Sequence, residues 1–195
     1  AAELLQWLGH ANKWFRRQAV LELAWRGEKS AVPELLRRVR DAKNPHAFDA
    51  LCALHLLGGL SEERSIELLR HSDPYVRRWV VRCAGDAGAA GRELTQALVE
   101  LARGEVHPEV RTQLAASAKR LPDAVALAVV RAMWGREEDV NDKRVPLLTW
   151  WALEARAETA REALLGVFSE KNVWSLPLAR THGARFLARR WAQAG

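Results

Sequence analysis

Asp73-Pro74-Tyr75-Val76-Arg77 is one copy of a short phrase that recurs down this chain. A capping residue is followed, often, by proline, then by a one-residue gap, a small apolar residue and usually arginine. The other copies are Asn44-Pro45-His46-Ala47-Phe48 and His107-Pro108-Glu109-Val110-Arg111, with looser ones at Asn12-Lys13-Trp14-Phe15-Arg16 and Asp142-Lys143-Arg144-Val145-Pro146. Their starts lie 32, 29, 34 and 35 residues apart. A period in this range marks stacked helical units, none of which can bury its apolar face alone.

Each phrase reads as a helix start. Asn12, Asn44, Asp73 and Asp142 share a column whose side chains can accept from the free amides of a first turn, and His107 is the departure from it. Pro45, Pro74 and Pro108 fall where a missing backbone donor costs nothing, at the first helical position. Three residues past the cap stand Phe15, Ala47, Val76, Val110 and Val145; four further on stand Ala19, Leu51, Val80, Leu114 and Thr149. That i, i+4 pair predicts the core face. Between the phrases, Leu35, Leu36 and Val39, then Ile66, Leu68 and Leu69, then Leu94, Ala97, Leu98 and Leu101 predict a second helix per unit.

The turns agree with this division. Gly58-Gly59, the stretch Gly85 to Gly91, Gly104 and Gly135 predict helix ends, and Pro122 a further break. Residues 85–91 read as a loosened linker within a repeat. No run of apolar/polar alternation is long enough for a strand. The expected fold is all-α: a right-handed α-solenoid of about five short helical hairpins, with helix over about three quarters of the chain. The expected units are 12–42, 43–71, 72–104, 105–139 and 140–168, with a closing unit at 169–195, all in one domain spanning 1–195.

Composition narrows the function classes. Of 195 residues, 49% are apolar, enough for a continuous core, and no apolar run approaches a membrane span. The chain opens inside a predicted helix without methionine, which reads as a segment of a larger protein. Cys52 and Cys83 have no metal-ligand spacing and lie among aliphatic residues; they read as buried free thiols, with a bridge between adjacent repeats as the competing reading. The net charge of +6 is carried mostly by arginines spread over every repeat rather than clustered, which favours solvated helix faces over a phosphate-binding stripe.

The Asp-Pro-x-Val-Arg phrase of residues 73–77 resembles the second-helix start of HEAT repeats, in particular the short class related to phycobilin lyases. A closer resemblance is to the HEAT segment of large multidomain proteins of planctomycete-type bacteria, which join a dehydrogenase-like propeller, a HEAT segment and a c-type cytochrome. It rests on residues 12–17 (NKWFRR), 50–54 (ALCAL), 110–115 (VRTQLA) and 145–154 (VPLLTWWALE). The resemblance implies a spacer or docking segment, and a periplasmic or cell-envelope setting for the parent. This chain has no Cys-x-x-Cys-His run for haem and no strand repeats for a propeller. In HEAT arrays the arginine column, here Arg16, Arg77 and Arg111, reaches acidic residues of the adjacent unit, where its bidentate geometry suits carboxylates.

The nine tryptophans raise the question of a binding face. Trp7, Trp25, Trp134, Trp174 and Trp191 read as core or inter-repeat packing. Trp150 and Trp151 point about 100° apart on a helix, so one is expected inward and the other in a groove. Trp14, near the start of its helix, reads as a surface aromatic. The column Arg17, Asp49, Arg78 and Thr112 turns away from the core and, with Gln18 and Gln113, predicts a polar lining. The candidate binding residues on a concave face are therefore Trp14, Arg17, Gln18, Arg78, Gln113, Trp150 and Glu154.

Catalysis finds little support. The six histidines never occur at i, i+3 or i, i+4, and His55 reads as a core-edge residue. Carboxylate pairs such as Glu62-Glu63 and Glu137-Glu138 fall in turns or on solvated faces. There is no nucleophile elbow, phosphate loop or dinucleotide fingerprint. No cofactor and no metal is expected. The reading is a non-catalytic scaffold for a protein or for a neighbouring domain of the same parent chain. The alternative is nucleic-acid binding through a basic, tryptophan-containing concave face.

Overall fold

A computed structural model of the chain describes residues 1–194. Among them 73% are helical and none is in a strand, as the periodicity predicts. The chain divides into two compact units, Ala1–Arg77 and a second beginning at Arg78.

The first unit holds α1 (Ala2–Trp7), α2 (Lys13–Trp25), α3 (Val32–Arg40), α4 (Ala47–Leu56) and α5 (Glu62–Leu68). α2 packs on α1 and on α4, and α3 packs on α4. α6 (Pro74–Ala87) carries the boundary. In the second unit α7 (Arg92–Gly104) packs on α9 (Asp123–Met133), and α8 (Pro108–Ala118) packs on α9 and on α10 (Val145–Glu154). α11 (Arg161–Ser169) touches α9, while α12 (Arg185–Ala194) lies against α10.

Four residues of the capping column accept amides just ahead, but only Asn12 and Asp73 stand directly before their helices, whereas Asn44 and Asp142 brace the turns before α4 and α10. Asn12 Oδ1 accepts from Trp14 N at 2.9 Å, Asn44 Oδ1 from His46 N at 3.0 Å and Asp73 Oδ1 from Tyr75 N at 2.8 Å. Asp142 Oδ1 takes the amides of both Arg144 and Val145 at 2.8 Å. His107 makes no side-chain cap, and its own amide donates instead to Glu105 Oε1 at 2.8 Å. Pro45 departs from expectation: α4 begins at Ala47, so Pro45 shapes the turn rather than the first helical position. The apolar columns are buried at nine of ten places, with Phe15 half-buried at the first phrase.

Two glycines mark tight places, one at a helix end and one between helices. Gly58 has φ +70°, and the amides of Gly58 and Gly59 return to His55 O and Leu54 O at 2.9 and 2.8 Å, closing α4 with a left-handed residue that suits glycine. The expected loosening at residues 85–91 holds only for its second half: α6 continues through Gly85 to Ala87, and the chain turns at Gly88, with φ +63°, before α7. Gly85 is buried, and a Cβ there would lie 2.7 Å from Ser117 Cβ on α8. Its glycine serves close helix packing, not a linker.

The arginine column is a set of clamps. Arg16 Nε donates to Asp49 at 2.8 Å, and its Nη1 donates to His10 O and Ala11 O at 2.8 and 3.0 Å. Arg77 Nη1 reaches His71 O and Ser72 O in the same way. Arg111 grips Asp139 with Nε and Nη2 at 2.8–3.0 Å and sends Nη1 to Val106 O at 2.6 Å. That Asp139 is 1% exposed makes the pair a buried one. Arg156 was not singled out by any repeated phrase. It lies buried with Nε 2.9 Å from Asp123 and with Nη1 and Nη2 donating to Ala152 O and Leu121 O. Burial lowers its pKa against the pull of Asp123.

Candidate functional site

Two grooves, one in each unit, combine apolar side chains with charged ones. In the first unit α2 and α4 flank a groove of about 450 Å³. Val20, Leu21, Phe48 and Cys52 supply its apolar surface, and Lys13, Arg16, Arg17 and Asp49 its charged rim. Lys13 and Arg17 are four residues apart and so share one face of α2. Asp49 is spent on Arg16. In the second unit α10 and α12 flank a smaller groove of about 280 Å³, lined by Leu147, Trp150, Glu154, Phe186, Arg189, Arg190 and Gln193. Trp150 and Phe186 meet edge to face there, with centroids 5.5 Å apart.

The seven candidate residues thus fall in several places. Arg17 lines the α2/α4 groove, whereas Trp14 and Gln18 line a separate depression with Trp7, Glu22 and Arg26. Trp150 and Glu154 share the α10/α12 groove. Arg78 lies 3.8 Å from Glu109, which also takes Arg144 at 2.9 Å. The Arg144 hydrogen bond holds the Glu109 carboxyl below its ordinary value. Gln113 donates to Ser117 Oγ at 3.1 Å, one turn along its own helix.

The tryptophans are less buried than expected. Trp134 is a core residue at 1% exposure, packed against Phe168, and Trp191 is half-buried with its indole N–H on Ala157 O. Trp25, by contrast, is 85% exposed, and Trp7 and Trp174 also open to solvent. These three are corrections in exposure: Trp25 stands at the end of its helix, while Trp7 packs edge to face on Phe15 and Trp174 lies against Phe168, each with one side of the ring left open. Trp14 is exposed as expected. Neither Trp150 nor Trp151 is buried: the first is half-buried in its groove and the second exposed. His55 is exposed rather than at the core edge. Cys83 is buried and Cys52 half-buried, and neither is in a disulfide.

Sequence reasoning missed Leu21, Phe48, Lys13, Phe186 and Arg189 as groove residues. Phe48 did carry a signal, because it stands in the column that holds arginine in three other copies of the phrase. The rest carried none, since which exposed residue faces a groove depends on how neighbouring helices pack. His10 and His71 also gained a role. Each sits two residues before a cap, and its Nδ1 accepts that cap's amide at 3.0 Å.

Much of the arginine charge in the first unit is internally matched. Arg16, Arg26, Arg37, Arg38 and Arg40 each lie within 4 Å of a carboxylate. The second unit shows the same habit, for example Arg120 on Asp86 and Arg131 on Glu170. Among the described residues no three His, Cys, Asp or Glu side chains converge closely enough to hold a metal ion. No helix there is long and apolar enough to cross a membrane.

A chain of paired helices, opened by capped phrases and joined by buried arginine clamps, defines a helical-repeat protein. The sequence profile of HEAT repeats matches residues 1–71 and again 62–145, and the chain belongs to the HEAT-repeat family. Proteins of this family generally act as interaction scaffolds. No curated protein and no solved structure matches the chain.

Proposed function

We propose that this chain is a non-catalytic scaffold that engages a protein, or a neighbouring domain of its own parent chain, through grooves between helices. The observation that carries this reading is that each unit leaves large apolar side chains open beside polar rims. Leu21 at 55% exposure lies beside Phe48 in one groove, and Leu147 beside Trp150 in the other. Exposed apolar and aromatic surface rimmed by polar groups is the anatomy of an interaction site. The resemblance to the HEAT segment of multidomain redox proteins supplies a context, in which the partner is a covalently linked domain.

The nucleic-acid alternative draws on the net charge of +6 and the exposed Trp14 and Trp151. It has less support, because so many of the arginines already hold carboxylates. A photo-crosslinking residue placed at Leu21 or at Trp150, in cells producing the protein, separates the two. Cross-links to a defined polypeptide segment are the expected result. Cross-links confined to nucleic acid, or none from either position, would overturn the scaffold reading.

A further inference from the structure

We propose that the α2/α4 groove is a docking site for an acidic amphipathic peptide segment that inserts one bulky apolar side chain. This rests on the scaffold reading and names the class of partner for one of its grooves.

The argument begins with the arginine column. At the second phrase that column holds Phe48, so the groove contains a ring 37% exposed where three other copies place a clamp. Leu21, across the groove on α2, is still more open. Together they give an apolar receiving surface in a groove of about 450 Å³, room for a large side chain. A bulky anchor in such a pocket is the usual centre of a peptide interface.

The rim then sets the sign of the partner. Lys13 and Arg17 line this groove, and among the described residues neither has a carboxylate within ion-pair distance. Five other arginines of the same unit do have one. Asp49, the acidic residue of the rim, is neutralised by Arg16 at 2.8 Å. The unspent charge is therefore positive and lies one helical turn wide along the groove. Acidic residues flanking an apolar anchor complement it. A nucleic-acid backbone fits it less well, because two cations neutralise few phosphates and the apolar surface would stay uncovered.

Selection of a displayed random-peptide library on the purified chain tests this. Enriched peptides should carry Asp or Glu beside a single Trp, Phe or Leu. Their affinity, measured by fluorescence anisotropy with synthesised winners, should fall about tenfold or more in K13E/R17E and in L21D. Both variants alter exposed side chains, and circular dichroism melts check that they stay folded. Enrichment without acidic residues, indifference to both variants, or no enrichment at all would overturn the proposal. Winners lost instead in W150S would overturn it while leaving the scaffold reading intact. A duplex oligonucleotide that binds tightly and is released by K13E/R17E would overturn both.

Discussion

Arg111 shows how one side chain can matter more than its neighbours. Its guanidinium closes on Asp139 with three contacts of 2.8–3.0 Å in a site almost without solvent. Removing one partner of such a pair leaves a charge with neither water nor counter-ion. R111A should therefore destabilise the protein by about 3–5 kcal/mol, read as a loss of urea midpoint. R111M/D139L, which removes both charges, should lose far less, and an equal loss would show that packing rather than charge is at stake. Glu34 presents a half-buried counterpart. Hydrogen bonds from Arg37 and Arg38 hold its carboxyl at about 2, below the ordinary 4.5. A carboxyl lowered by folding stabilises the fold fully above its unfolded value and loses that contribution as pH falls toward the folded one. The melting temperature of E34Q should thus lie below wild type at neutral pH and converge on it between about pH 4.5 and 2. A gap that persists at the acid end would refute the assignment. Cys83 is pushed up to about 11 by burial, so iodoacetamide should leave it unmodified at neutral pH and label it only in denaturant.

At the level of helices, the parts read from sequence were those governed by neighbours in the chain. A cap and the amide it receives lie two residues apart, so Asn12, Asn44, Asp73 and Asp142 could be recognised without a structure. The same holds for the buried columns, which depend only on helical spacing. Gly85 could not be read this way. Glycine signals a helix end from its own backbone freedom, but here the constraint comes from Ser117 on another helix. G85A should therefore cost about 1–3 kcal/mol, although the same change in an open helix would be mildly favourable. S117G should recover much of the loss, as measured by thermal melts of the single and double variants. A neutral G85A would mean that α6 and α8 can part at little cost. The grooves were hidden for a related reason. Trp25 and Trp134 have the same chemistry, and only the position of each at a free end or against Phe168 and Gly183 decides which is covered.

For the molecule as a whole, charge is distributed as internal matching rather than as a field. A chain of net charge +6 invites the expectation of phosphate binding, yet its arginines are largely committed to carboxylates within their own unit. Binding to a random duplex should accordingly be weak at low salt, with a shallow dependence of affinity on salt concentration. A steep slope in a salt titration would contradict this. The fold class and the repeat period were legible because they are repeated five times over. The binding face was not, because Leu21, Phe48 and Trp150 belong to single units and leave no period behind. The clamps have one more consequence. Arg16 and Arg111 each hold the turn before their own helix with Nη1 and a carboxylate farther along the chain, Arg16 with Nε and Arg111 with Nε and Nη2. Both fasteners point forward along the chain, Arg16 from its repeat to the next and Arg111 to the last residue of its own. A cassette copied with a hook of the Arg16 kind arrives already facing the next cassette's eye, which suits a gene lengthened by tandem duplication.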